Sequence, residues 1–399
     1  VGRMRAASRS LAISYAIREY LLPARKLEEQ GIEILKLHIG DPNKYDFETP
    51  RHVRDALCRA VEECDNGYAD SEGYIGLREM IVQREKEKNR IEVGSEDVIV
   101  TTGVTEGIQT TLASLIEPGD EILVPGPGYP TYSEFASFFG GNPVGYRTAE
   151  EREWLPDTDD VRRLMTSKTK AMVIINPNNP TGSVYPRKVL KDLTDLAGEH
   201  DLAVISDEIY DLMTFEGDHI SPSTVAPDLP MVILNGFSKV DLLPGWRMGY
   251  AVFRDSEGKL ADVKDGVMRQ LRLRLSANYP CQVALSEALR GPKGHHEVVR
   301  DKLRERAGYA HKRLNSIPGI SARKPKGAFY IFPRIESKRW QNDRDFVLDV
   351  LRNAHVLFVP GSGFGEQYGS MHFRSVFLPP VPTLERAFDA LESFMGANA

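Results

Sequence analysis

Lys239 and Arg247 stand eight residues apart in NGFSKVDLLPGWRMGY, residues 235 to 250, directly after the apolar run MVILNG. A lysine at the end of a buried strand becomes a covalent nucleophile once it can lose its proton. Burial and a neighbouring cation such as Arg247 both lower an amine from its ordinary value of about 10.4. The neutral amine can then attack an aldehyde. Arg247 offers a planar fork of donors that suits a phosphate. The glycines around it, Gly245 and Gly249, let backbone approach closely.

Four other stretches carry residues with chemical potential. TTGVTEG closes an apolar run and opens a helical one. There Gly103, Val104 and Thr105 would present free N–H groups and a hydroxyl to an anion, or simply cap a helix. It is not a Walker loop, since the G-K-[ST] end is missing. VISDEIY places Asp207 after a buried run and Tyr210 three residues on. A carboxylate there either caps the next element or faces a cation. NPNNPTG holds Asn179 in a proline-stiffened turn, with its amide free for a ligand or used only in the turn. PGPGYPTY is stiffened by three prolines, and its Tyr129 either lies on a planar ligand or packs as a core tyrosine. The ligand these groups would share has an aldehyde, a phosphate, an aromatic ring and a basic ring nitrogen. Pyridoxal 5'-phosphate carries all four.

Such residues must be brought together by elements, and the middle of the chain repeats one theme. DVIVTTG, DEILVPGPGYP, PVGYR, AMVIINPNNPTG, LAVISDEIY, MVILNGFSK and WRMGYAVF are seven strand candidates between residues 97 and 253. Helical segments such as VTEGIQTTLASLI separate several of them. This alternation implies an α/β fold with a seven-stranded, mostly parallel sheet and helices on both faces. About ten residues join MVILNG to WRMGYAVF, too few for a parallel crossover, so one antiparallel strand is expected there. In such sheets ligands bind beyond the carboxyl ends of the strands, which is where the residues above collect. The chain ends read as a small α+β domain. AIREYLLPARKLEEQG is expected as an amphipathic helix and HHEVVRDKLRERAGYAHKRLNSI as a long one, followed by the strand candidates GAFYIFPRI, AHVLFVPG and MHFRSVFL. The expected division is residues 1–45, an N-terminal arm and part of the small domain; residues 46–290, the large cofactor domain; and residues 291–399, the small C-terminal domain.

A chain of 399 residues suits two domains. With 41 % hydrophobic and 27 % charged residues and a formal net charge of -6, it has an ordinary globular composition and no basic footprint for nucleic acid. No apolar run reaches the roughly 20 residues of a membrane span. The start has cations but no apolar core of a secretory signal. Three cysteines, Cys58, Cys64 and Cys281, without a C-x-x-C pair, point to reduced, inert, buried thiols of a cytoplasmic protein. No metal site is expected, and His295-His296-Glu297 reads as the solvated start of a surface helix.

The five motifs TTGVTEG, PGPGYPTY, NPNNPTG, SDEIY and SKVDLLPGWRMGY, in this order, resemble the class I aminotransferases of pyridoxal-phosphate fold type I. The likeness covers essentially the whole chain. Within the family, LHIGDPNKYDF, ISDEIYDLMTFEGDHISP, NGFSKV, KGAFYIFPRI and HVLFVPGSGFGE are most similar to alanine aminotransferases of archaeal and bacterial type. The resemblance implies that Lys239 attaches the cofactor through its aldehyde and shuttles the proton. Asp207 would keep the ring nitrogen protonated, so that the ring draws electrons. Tyr210 and Asn179 would hydrogen-bond the phenolic oxygen, and Tyr129 would stack on the ring. Gly103, Val104, Thr105, Ser238 and Arg247 would surround the phosphate, joined by Tyr68 from the other subunit of a homodimer with shared active sites. Arg374, in HFRSVFL, would hold the substrate α-carboxylate through two bonds, with Gly40 contacting it by backbone and Tyr15 near the substrate side chain. Many members have serine three residues before the lysine; here Gly236 stands there, so one phosphate contact is expected to be missing.

The implied activity is ping-pong transamination of small-molecule amino and 2-oxo acids, L-alanine and 2-oxoglutarate giving pyruvate and L-glutamate. Alternatives are an aspartate or broad-specificity aminotransferase and, further off, a carbon–sulfur lyase. A transcription regulator on this fold would need a DNA-binding domain, for which the roughly 36 residues before LHIGDP leave no room. Arg18, Arg272 and Arg274 are the candidates for a distal carboxylate, none assigned by a motif.

Overall fold

A computed structural model describes residues 4–63 and 65–397. Its centre is a mixed eight-stranded sheet. The strands are β1 (Val98–Thr101), β2 (Glu121–Gly126), β3 (Asn142–Ala149), β4 (Leu155–Pro156), β5 (Thr169–Ile175), β6 (Ala203–Asp207), β7 (Met231–Gly236) and β8 (Gly249–Arg254). They lie in the order β1-β8-β7-β6-β5-β2-β3-β4. The seven expected strands are all present. The eighth, β4, is a two-residue strand that pairs antiparallel with the end of β3 through Thr148 and Ala149. It is too short to leave a periodic signal. β8 pairs antiparallel with both β7 and β1, as the short connection requires. The pairs β7–β6, β6–β5, β5–β2 and β2–β3 are parallel.

Alternation of side chains divides the sheet between two cores. Val98, Val100, Met172, Ile174, Val204, Met231 and Ile233 enter one core. Ile99, Val173, Ile175, Ile205, Val232 and Leu234 enter the other. Both faces are covered, so the strands read as unbroken apolar runs. Three helices matter below: α1 (Ile75–Asn89), α2 (Val104–Leu115) and α3 (His295–Leu314). In α2, Ile108 and Leu112 lie one turn apart and are fully buried in the second core.

The chain ends meet each other. Leu35–Lys36 pairs parallel with Val356–Leu357, and Phe373–Val376 pairs with Val359–Pro360 and Tyr330–Ile331. A separate apolar cluster joins Leu37 and Phe47 to Leu303, Phe346, Phe373 and Phe388. The single N-terminal helix expected around residues 16–31 is instead two, Ala16–Glu19 and Leu21–Glu28, parted at Tyr20. Among the described residues no helix is long and apolar enough to cross a membrane. Cys281 is buried and its thiol is pushed up to about 11 by burial. Cys58 is exposed, contrary to expectation, because it lies on the outer face of the helix Arg51–Glu62, whose buried positions are Val53, Ala56 and Ala60. Cys64 lies outside the described residues.

Candidate active site

The carboxyl ends of β1, β2, β5, β6 and β7 and the start of the reversed β8 all open on one cavity of about 680 Å³. Its wall includes Val104, Thr105, Tyr129, Asn179, Asp207, Tyr210, Ser238, Lys239, Arg247 and Arg374, together with Gly40 and Tyr15 from the N-terminal segment. Residues from position 15 to position 374 are thus gathered by six strand ends and the small-domain strand Phe373–Val376.

Lys239 follows β7 by three residues. Its Nζ donates to the Gly40 carbonyl at 2.8 Å and stands 5.4 Å from the Phe329 ring centre. Burial lowers the amine from its ordinary range to about 8; Asp41 and Asp207 oppose this, while Arg374 and Arg247 add to it. Neutral amine is therefore accessible near neutrality. Gly40 is wedged so tightly that a Cβ would lie 2.4 Å from the Tyr330 hydroxyl and 2.6 Å from Phe329.

Asp207, the last residue of β6, is 3 % exposed. Loss of hydration raises its carboxyl to about 6; a hydrogen bond from the Tyr132 hydroxyl at 2.9 Å and one from the Ile209 N–H at 3.2 Å pull the other way. A buried carboxylate this close to neutrality suits a cationic ligand group. The Tyr210 and Tyr330 hydroxyls lie 2.9 Å apart.

Gly103 is the N-cap of α2, which has no side-chain cap, so its first N–H groups stay open to an anion. Gly103 has φ +75°, and a Cβ there would lie 2.4 Å from Arg247 Nη2 and 2.9 Å from Cζ. The glycine is what lets the guanidinium rest against the helix start. Gly236 has its own reason to lack a side chain: a Cβ would fall 2.9 Å from both Gly249 Cα and the Met248 carbonyl oxygen on the paired strand.

Arg374 is 1 % exposed. It donates to Asn179 Oδ1 at 2.9 Å and to the His38 carbonyl at 2.7 Å, and is held between Tyr330 and Phe364 at 4.4 and 4.8 Å. Its buried Nε has no partner. A guanidinium committed in this way has a donor left for an anion. Tyr15 and Tyr129 meet hydroxyl to hydroxyl at 3.2 Å.

Tyr68 is 81 % exposed and outside this cavity. Of the three distal-carboxylate candidates only Arg18 lines it. Arg272 is exposed elsewhere, and Arg274 is tied to Glu106 at 3.1 Å and to backbone carbonyls. Tyr132, Tyr330 and Asp41 were missed as site residues. Tyr132 and Tyr330 fall inside quoted motifs, but their partners Asp207 and Tyr210 are 75 and 120 residues away, a distance no local pattern encodes. His295 and His296 do begin a helix, yet they are largely shielded from solvent. Their side chains are 17 % and 13 % exposed and lie against Asp241, because α3 starts beside the segment that follows Lys239.

The residues fit an aldehyde at Lys239, an anionic group between Arg247 and the start of α2, and a protonated ring nitrogen at Asp207. The chain is similar to known proteins along nearly all of its length. Residues 33–391 match the family model for aminotransferase class I and II. The alanine aminotransferase of Pyrococcus furiosus is 54 % identical, with a TM-score of 0.97 over 98 % of this chain and 100 % of that one. The glutamate-pyruvate aminotransferase AlaA of Escherichia coli (strain K12) is 36 % identical over 389 residues, 96 % of each chain. The aspartate/prephenate aminotransferase of Thermus thermophilus is 34 % identical over 94 % of each.

Proposed function

The chain belongs to the class I and II aminotransferases, and on that basis we propose that it moves the amino group of L-alanine to 2-oxoglutarate with pyridoxal 5'-phosphate as cofactor, giving pyruvate and L-glutamate. The observation that carries the reading is one cavity holding an amine lowered to about 8, a carboxyl raised to about 6 and a fully buried guanidinium with an open donor. When bound, pyridoxal 5'-phosphate supplies an aldehyde to take the amino group and a ring to draw electron density. Gly103, Val104, Thr105, Ser238 and Arg247 hold its phosphate. Asp207, oriented by Tyr132, keeps the ring nitrogen protonated. Tyr210 and Asn179 serve the phenolic oxygen, and Tyr129 flanks the ring. Arg374 binds the substrate α-carboxylate, with Gly40 beside it. Lys239 Nζ takes the α-proton and returns it, and donor and acceptor use the site in turn.

Exposure of Tyr68 suits a phosphate contact in a partner subunit, so a cytoplasmic homodimer with shared sites is part of the proposal. So is the division into residues 1–45, 46–290 and 291–399, supported by the pairing of Leu35–Lys36 with Val356–Leu357. Ile13, Ile17 and the Tyr15–Tyr129 pair make the substrate side mostly apolar, which suits a methyl group. Arg18 on the same cavity can meet the distal carboxylate of glutamate. That same arginine favours the second reading, an aspartate or broad-specificity enzyme.

Two measurements test this. Borohydride reduction followed by peptide mass spectrometry should place the cofactor on Lys239; a label on another lysine overturns the site. With 2-oxoglutarate saturating, kcat/KM should be higher for alanine than for aspartate. An aspartate value equal or higher replaces the alanine reading and leaves the cofactor chemistry standing.

A further inference from the structure

Away from the active-site cavity, a second cavity of about 260 Å³ opens between α1, the segment after Lys239 and the first turn of α3. Asp241, His295 and His296 project onto it, with His52, Arg84 and Lys293 on the same wall. Asp241 Oδ1 lies 3.2 Å from His296 Nε2 and 3.8 Å from His295 Nε2. All three ligand atoms fall within 4.8 Å of one another, and they are the one such group among the described residues. His295 Nε2 is buried with no hydrogen-bond partner.

We propose that Asp241, His295 and His296 bind a divalent transition cation of the zinc class. Bonds of about 2.0–2.2 Å from nitrogen and oxygen in tetrahedral geometry put neighbouring ligand atoms roughly 3.3–3.6 Å apart. The observed 3.2 and 3.8 Å from the carboxylate oxygen bracket that spacing, and all three atoms lie within 4.8 Å of one another. Arg84 Nη1 reaches the other carboxylate oxygen, Oδ2, at 3.4 Å, which orients Asp241 and leaves Oδ1 for the ion. Lys88, one turn beyond Arg84 on α1 and on the same cavity wall, is taken up by Asp211 and so does not occupy Asp241. Two imidazoles and one carboxylate favour zinc-class ions over calcium or magnesium, which prefer all-oxygen sets. The cavity leaves the fourth position to water. Its ring centre 6.3 Å from that of His295, His52 stands nearby without belonging to the set. The ion would tie the segment two residues beyond Lys239 to the start of α3.

The test uses cofactor-loaded enzyme stripped of metal with a chelator. Zn²⁺ is titrated against a chromophoric chelator in phosphate-free buffer. Wild type should take up one tightly held ion per subunit, and the double variant His295→Ala/His296→Ala should bind at least ~100-fold more weakly. Co²⁺ in the wild type should give the intense visible bands of a four-coordinate site, at wavelengths beyond the cofactor's absorption, and lose them in the variant. Should the double variant fold poorly, His295→Gln and His296→Gln singly should each weaken binding by about tenfold or more. No uptake by wild type, or the same affinity and spectrum in the histidine variants, overturns the proposal.

Discussion

Replacing Tyr132 by Phe removes one hydroxyl and leaves the ring in its place in the core. That hydroxyl donates to Asp207 Oδ2 at 2.9 Å. A hydrogen bond to a charged group contributes about 1.5–3 kcal/mol, and one between neutral groups about 0.5–1.5 kcal/mol. The loss should therefore be larger, by about 1–1.5 kcal/mol, when Asp207 is ionised. At 1.36 kcal/mol per pKa unit this moves the carboxyl from about 6 to roughly 7 in the cofactor-free protein. The sign follows from linkage. Asp207 is raised above its unfolded value of about 3.9, so its favourable contribution is fully present below that value and is lost as pH rises through about 6. In Tyr132→Phe the loss continues to about pH 7 and is deeper. The assay is urea unfolding of cofactor-free wild type and variant at pH 5 and pH 8, at one fixed protomer concentration because association shifts apparent stability. The difference between the two proteins should be greater at pH 8 by about 1–1.5 kcal/mol. Equal differences at the two pH values would show that the hydroxyl does not serve the ionised carboxylate, and the role given to Tyr132 would be wrong.

Gly103→Ala should weaken cofactor retention by about tenfold or more, measured by release on dialysis, since φ +75° with ψ 165° costs a side chain on the order of 1–3 kcal/mol and the new Cβ displaces Arg247. Arg374→Lys should keep the charge but lose the fork, lowering kcat/KM for every amino acid by roughly 10²–10³, about 3–4 kcal/mol, with little change in cofactor binding; a loss confined to one substrate would contradict a role at the α-carboxylate. Asp207→Asn should retain cofactor and lose most turnover, because an amide cannot support a protonated ring nitrogen; near-normal steady-state rates would remove Asp207 from the chemistry. Hybrids of Tyr68→Phe and Lys239→Ala subunits should recover activity in one of their two sites, and no recovery after verified subunit exchange would count against a shared site.

Much of the active site was legible in the chain because its residues follow strands with strong local signals. Unbroken apolar runs such as AMVII and MVIL mark sheet buried on both faces, and the polar turn after each marks a carboxyl end. That is why Lys239, Asp207, Asn179 and Tyr129 could be named from sequence, and why the short connection before β8 announced an antiparallel strand. Strand β4 could not be read, since two residues give no period. Tyr132 and Tyr330 stood inside recognised motifs, yet their roles depend on hydroxyl contacts across 75 and 120 residues. The exclusion of Arg272 and Arg274 from the cavity likewise needed the full path of the chain. Gly236 is explained only by the backbone of β8 lying against it. The His295–His296 pair shows the same limit most clearly. Two histidines at a helix start read locally as surface residues, and only packing of α3 against the segment beyond Lys239 brings them up to the buried Asp241. Local sequence determines which backbone forms and which groups it carries. Distances between those groups are set by which elements pack together, and pKa values and binding sets follow from those distances.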